Sequence, residues 1–146
     1  MKDISTADIL LVEDNPQDVE LTLRTLEKNH LANQVYVVTD GEEALDFLYC
    51  KGKYSEREPI PPKVVFLDIK LPKINGLEVL KTIKSDENMK NIPVVMVTSS
   101  AEDPDIAAAY KLGANSYEVK PVDFRIFAET IVNLGLYWLV VNQSPK

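Results

Sequence analysis

Asp68 closes the apolar run Val64-Val65-Phe66-Leu67, and a Pro-containing loop through Leu71-Pro72 follows it. A short, continuous apolar run with Pro nearby reads as a strand buried on both faces. The acid therefore stands at the carboxyl end of that strand, where open parallel sheets collect ligands. A buried, unpaired carboxylate is strongly unfavourable, so Asp68 needs a cation or hydrogen-bond donors close by. Three other apolar runs offer them: Ile9-Leu10-Leu11-Val12 ends at Glu13-Asp14, Val94-Val95-Met96-Val97 at Thr98, and Ser116-Tyr117-Glu118-Val119 at Lys120. If the strands are parallel, these side chains meet at one edge of the sheet. Two carboxylates roughly 4 Å apart repel by about 4 kcal/mol at an effective dielectric of ~20. Such a cluster is tolerable if it binds a hard cation and keeps an ammonium near. Few protein oxygens with room for water suit Mg²⁺ better than an all-protein Ca²⁺ cage. A carboxylate nucleophile, a divalent ion and donors for equatorial oxygens are the parts that capture a phosphoryl group.

The elements that must position these residues alternate regularly. After the first strand, Asn15 is placed to cap a helix and Pro16 to occupy its first position, with Val19, Leu23 and Leu26 at helical spacing. Val35-Tyr36-Val37-Val38 reads as the second strand, and Thr39-Asp40-Gly41-Glu42 as a capping box for a helix carrying Ala44, Leu45, Phe47 and Leu48. Residues 50–63 read as a polar surface loop with a Pro-rich exit. The spacing predicts a third helix from about Asn75 through Leu77, Leu80 and Ile83, and a fourth capped by Asp103 with Pro104 in its first turn and stopped at Gly113. The last helix carries Phe124, Phe127, Ile131, Leu134 and Trp138. Five strands alternating with five helices give a single doubly wound α/β domain over residues 1–146, its core about 8–140, with a parallel sheet covered on both faces.

A net charge of −7 argues against tracking a nucleic-acid backbone. Apolar runs fall short of the ~20 residues of a membrane span, and the N-terminus lacks a signal-peptide pattern. The lone Cys50 cannot form an internal disulfide, so a reducing cytoplasm is the expected compartment. Asn142-Gln143-Ser144 matches a glycosylation sequon by chance in that setting. His30 is expected at an exposed helix end, and the apolar surplus from Leu134 to Val141 either caps the core or forms a patch for self-association or a partner.

The ordered set Glu13-Asp14, Asp68, Thr98 and Lys120-Pro121 resembles the receiver domain of two-component response regulators, over nearly the whole chain. The resemblance implies a flavodoxin-like receiver fold and a role for each residue. Asp68 is the implied phosphoacceptor, charged by a sensor histidine kinase or a histidine phosphotransfer protein. Asp14 and the backbone carbonyl of Lys70 are implied ligands of Mg²⁺, with Glu13 acting largely through water. Thr98 and Lys120 are implied to bind phosphoryl oxygens, and Thr98 with Tyr117 to form the switch. Pro121 stands where the family places a cis peptide bond. Lys70 and Ser100 occupy positions that tune phosphoryl lifetime in this family.

With little chain after Lys120, the expectation is a stand-alone regulator that catalyses only its own phosphorylation and dephosphorylation. Its output would pass through a protein partner or a homodimer made by the fourth helix, fifth strand and fifth helix. The loop at 50–63, the stretch Leu67-Asp68-Ile69-Lys70-Leu71-Pro72 and the aromatic last helix resemble regulators paired with phytochrome-type kinases. Two alternatives stand beside this reading: a constitutive receiver-like docking module, and an aspartyl-phosphate-forming phosphatase. Lys70 counts against the second, because haloacid dehalogenase-like enzymes normally place another Asp there. A flavodoxin-like cofactor binder is disfavoured by Glu13-Asp14-Asn15-Pro16, which would repel an anion where a Gly-rich loop is needed.

Overall fold

Strand residues alternate between two apolar clusters, and that alternation organises the molecule. The computed structural model describes residues 7–31 and 34–142. Its strands are Ile9–Val12 (β1), Val35–Val38 (β2), Val64–Leu67 (β3), Val94–Thr98 (β4) and Ser116–Val119 (β5), and its helices Pro16–Lys28 (α1), Gly41–Tyr49 (α2), Gly76–Ser85 (α3), Asp103–Lys111 (α4) and Phe124–Leu136 (α5). Every strand pairing is parallel, in the order β2-β1-β3-β4-β5, the doubly wound receiver-type arrangement expected. Leu10, Val12, Val65, Leu67, Val94 and Met96 pack with Phe47, Leu80, Ile83 and Ala109 of α2, α3 and α4. Ile9, Leu11, Val64, Phe66, Val95 and Val97 pack with Leu26, Phe127, Ile131 and Leu134 of α1 and α5. With apolar side chains on both faces, β1, β3 and β4 are buried throughout; β5, at the sheet edge, is only half covered.

Local signals set most boundaries. Asn15 Oδ1 accepts from Gln17 N (2.9 Å) and Asp18 N (3.2 Å), with Pro16 opening α1. Asn75 caps α3 and Asp123 caps α5 in the same way. Four details differ from the sequence expectation. The capping box at α2 lies one residue later: Asp40 accepts from Glu43 N, and Glu43 reaches back to Thr39 N. At α4 the N-cap is Glu102, without a side-chain bond, and Asp103 and Pro104 sit inside the first turn. On α1 the expected Val19, Leu23 and Leu26 pack against the core, but the buried face also takes Thr22 and Thr25, while Phe124, at the open start of α5, is 64% exposed. His30 is exposed at a helix end as expected, with φ of 53°.

Residues 50–63 are not simply a surface loop. A 3₁₀ turn at Gly52–Tyr54 drops the Tyr54 ring into the core, 2% exposed, edge-on to Phe47 (5.2 Å) and Tyr36 (5.7 Å). Its hydroxyl donates to Glu43 Oε2 at 2.7 Å. Arg57 is buried too, its guanidinium 4.0 Å above the Phe47 ring, donating to the carbonyls of Phe47 and Ile60. A buried guanidinium is tolerable only with its donors engaged, so these contacts tie the loop inward.

At the other end, α5 continues through a π turn at Tyr137–Val141. The unbroken helix Phe124–Val141 covers 18 residues at a mean hydropathy of 1.4, so by length and composition it reaches a membrane span, contrary to the sequence expectation. Its residues divide between an inner stripe, Phe127, Ile131 and Leu134, and an outer side with Leu136, Tyr137, Val140 and Val141 exposed. The apolar surplus is thus divided: Trp138 and Leu139 pack against the core as the first alternative expected, while Leu136, Tyr137, Val140 and Val141 stay uncovered. Ser144 of the sequon lies outside the described residues.

Replacing Tyr54→Ala removes a fully buried aromatic ring and is expected to lower the unfolding free energy by about 3–5 kcal/mol. Urea denaturation followed by circular dichroism measures it. A change below about 1 kcal/mol would mean that the loop is no part of the core.

Candidate functional site

The sheet register brings the first two acids together. Val12 of β1 pairs with Leu67 of β3, so Glu13 and Asp68 leave neighbouring strand ends side by side. The backbone fixes both ends: Asp68 N donates to Val12 O of β1 (3.1 Å), and Glu13 N to Val38 O of β2 (3.1 Å). Strand order reverses direction between β1 and β3, the crevice where open α/β sheets bind ligands. Glu13, Asp14 and Asp68 each present an oxygen within 4.8 Å of the others, with Asp14 exposed and the other two buried.

Lys120 enters from β5. Its backbone N–H donates to Thr98 O at 2.7 Å, which fixes the end of β5 against the end of β4. Its ammonium is a buried hub: it pairs with Glu13 Oε1, with Asp18 Oδ2 (3.0 Å) and with Asp68 Oδ2 (3.2 Å). The remaining Asp68 oxygen accepts from Ile69 N at 2.7 Å. The expected cis bond before Pro121 is not there: Lys120–Pro121 is trans, since no described peptide bond is cis. Trans is the form an X–Pro bond favours by about 0.5–1 kcal/mol. The β4 hydrogen bond and the three carboxylates suffice to hold Lys120 inward without the other isomer.

Electrostatics at this edge are unbalanced. Burial pushes Glu13 up to about 7, the Asp68 charge adding to it, while the hydrogen bond and charge of Lys120 pull it back. For Lys120, burial alone would lower the value. The hydrogen bond to Glu13 and the charges of Glu13 and Asp68 outweigh it and hold the ammonium above its ordinary range. Three carboxylates on one ammonium leave a deficit of positive charge even before Asp14 is counted. Three converging oxygens with one exposed member are a donor set of the kind that suits a hard divalent cation.

Thr98 is buried at the end of β4, and its Oγ1 accepts from Ser100 N at 3.4 Å. Ser100 joins the next elements: its hydroxyl bonds Asp105 of α4, and its carbonyl accepts from Tyr117 Oη at 2.8 Å. Tyr117 is half-buried on β5, its ring 6.5 Å from Tyr110 of α4. The ends of β4, β5 and the start of α4 are thus linked through a single serine. Lys70 is exposed on the loop after Asp68.

Two residue sets escaped the sequence reading. Asp18 is the third partner of Lys120; acids in a first turn are usually read as dipole partners, and only the tertiary fold shows where this one points. The other set is a pair of glycines. A Cβ at Gly76 would lie 1.9 Å from Asp68 O, and one at Gly41 would lie 1.8 Å from Ile74 O. Gly76 N donates to Ile69 O (2.7 Å) and Gly41 N to Pro72 O (3.3 Å). The loop that follows Asp68 is therefore clasped between the first residues of α2 and α3, backbone against backbone. The available signal was a glycine directly after each cap, Asp40-Gly41 and Asn75-Gly76.

Comparison with known proteins places this geometry. The family model for the response regulator receiver domain matches residues 9–132. Response regulator Rcp1 of Synechocystis sp. is 35% identical over 137 residues, covering 94% of this chain and 92% of its own; its Mn²⁺-bound crystal structure superposes with a TM-score of 0.88. The phosphorylated cyanobacterial phytochrome response regulator RcpA gives a TM-score of 0.89 at 34% identity, covering 97% of this chain and 99% of its own. The bacteriophytochrome response regulator AtBRR is 52% identical with a TM-score of 0.74, over 94% of this chain and 99% of its own.

Substituting Lys120→Met leaves three carboxylates without their shared cation and is expected to destabilise the metal-free protein by about 3–5 kcal/mol. Saturating Mg²⁺ should recover part of that loss, because a divalent cation supplies the missing charge. Urea unfolding with EDTA and with Mg²⁺ tests both statements; an equal loss in the two conditions would contradict the second.

Proposed function

The chain belongs to the response regulator receiver family of two-component signalling, and on that premise we propose that Asp68 accepts a phosphoryl group from a histidine kinase or histidine phosphotransfer protein in a Mg²⁺-dependent reaction. The observation that carries the reading is the buried Asp68 carboxylate, 8% exposed, with Glu13 and Asp14 converging on it and the Lys120 ammonium 3.2 Å away. The Mn²⁺-bound state of Rcp1 and the phosphorylated state of RcpA support it by kinship.

Glu13, Asp14, Asp68 and the backbone carbonyl of Lys70 would hold the ion, which when bound neutralises phosphoryl charge. The chain's own residues do the rest. An Asp68 carboxylate oxygen attacks phosphorus and forms a P–O bond. The P–N bond of the phosphohistidine breaks, and its electron pair stays on the imidazole, which takes a proton from solvent. Thr98 donates its hydroxyl, and Lys120 its ammonium, to equatorial oxygens as charge spreads over them. When Thr98 leaves its contact with Ser100 N, the joint made by Ser100, Asp105 and Tyr117 is disturbed, and Tyr117 is the residue that moves.

The change is read on the face made by α4, β5 and α5. Tyr110, Val119, Phe124 and Ile126 are uncovered there, and Val122 beside them is 98% exposed. Apolar residues gathered in this way mark a contact surface, for a protein partner or a second copy of the chain. The phytochrome response regulator RcpA and the bacteriophytochrome response regulator AtBRR make a phytochrome-type kinase the first candidate donor.

Incubation with acetyl phosphate and Mg²⁺, followed by intact mass, should show one phosphoryl group that hydroxylamine removes. The gain should vanish in EDTA and in Asp68→Asn. No gain with acetyl phosphate or with a phosphorylated histidine donor would overturn the reading and leave a constitutive docking module in its place.

A further inference from the structure

Lys120 has three N–H bonds to donate, and its three carboxylate partners come from three places: Glu13 after β1, Asp68 after β3, and Asp18 in the first turn of α1. Glu13 and Asp68 also belong to the oxygen cluster that could hold a cation, whereas Asp18 does not. An ammonium and a divalent cation at this edge therefore compete for the same two carboxylates. Only the Asp18 contact lies outside that competition.

We propose that Asp18 is a positioning residue: it retains Lys120 when a divalent cation draws on Glu13 and Asp68. The inference rests on the receiver reading only in requiring that a divalent cation bind among Glu13, Asp14 and Asp68. Asp18 is well placed for the role. Its backbone N–H is fixed by the Asn15 cap at 3.2 Å, and Pro16 stiffens the same turn. Its carboxylate, 19% exposed, sits at a helix N-terminus, where the helix dipole favours negative charge. Without it, every remaining bond of Lys120 would fall on the two carboxylates that the cation also draws on. Bound cation would then leave the ammonium loosely held, and tightly held ammonium would exclude the cation.

A carboxylate near a cation site can also act simply as a distant charge, and a double-mutant cycle separates the two roles. Mg²⁺ affinity is measured by calorimetry for the unaltered protein, Asp18→Asn, Lys120→Met and the double variant. Asp18→Asn is expected to weaken Mg²⁺ binding about fivefold in the unaltered background and less than about twofold in the Lys120→Met background. Equal weakening in both, or no weakening in the first, would overturn the proposal. A second measurement needs no Lys120 variant. The Lys120 ammonium resonance in a ¹H–¹⁵N spectrum should persist in saturating Mg²⁺ for the unaltered protein and be lost by exchange for Asp18→Asn; its persistence in the variant would likewise overturn the assignment. The outcomes are separable from the phosphoacceptor test. Coupling without phosphoryl gain upholds Asp18 and removes the acceptor role of Asp68, and phosphoryl gain without coupling does the reverse.

Discussion

The ammonium of Lys120 is held by three carboxylates that reach it from β1, β3 and α1, with the Asp14 carboxylate close to two of them. Like charges at this separation are tolerated only when something positive stands among them. The architecture can be read as the means of supplying it. Parallel strands deliver their carboxyl ends to one edge, the β1–β3 register sets Glu13 beside Asp68, and the last strand returns a lysine across β4 to meet them. Because one ammonium does not balance the set, the edge keeps residual negative charge of the kind that a divalent cation would offset.

From this edge, mechanical connection runs outward through few atoms. Thr98 contacts the Ser100 amide, Ser100 binds Asp105 and takes the Tyr117 hydroxyl, and those two residues lie on α4 and β5. A displacement of Thr98 therefore has a short path to the apolar face around Val119, Val122 and Ile126. The opposite flank is built differently. Tyr54 and Arg57 anchor residues 50–63 to α2 through ring packing and carbonyl contacts, none of which involves α4 or β5.

The strands and helices could be read from the chain because apolar runs on both faces of a parallel sheet are conspicuous, and because Asn15-Pro16 and Asn75 are strong local signals. The same logic found Glu13, Asp14, Asp68 and Lys120, since each ends or directly follows a run. Features set by tertiary approach were harder. Asp18 looks like an ordinary first-turn acid until the fold shows that Lys120 lies 3.0 Å away. The burial of Tyr54 and Arg57 hides inside a polar, Pro-rich segment with no periodicity to betray it. The isomer before Pro121 was a matter of kinship rather than of local chemistry, and the bond here is trans.

The glycine clasp around the loop after Asp68 separates frame from content. Gly41 and Gly76 touch this loop through its carbonyls, at Ile74 and Asp68, and through main-chain hydrogen bonds to Pro72 and Ile69. None of these contacts involves the exposed side chain of Lys70, whereas Lys73, with φ of 67°, pairs with the α2 cap Asp40 at 3.7 Å and belongs to the frame. A substitution at Lys70 can therefore alter the charge and bulk beside the acidic edge while the main-chain path stays where it is. The loop is a main-chain socket whose fitting at Lys70 can be exchanged without moving the frame that holds Asp68.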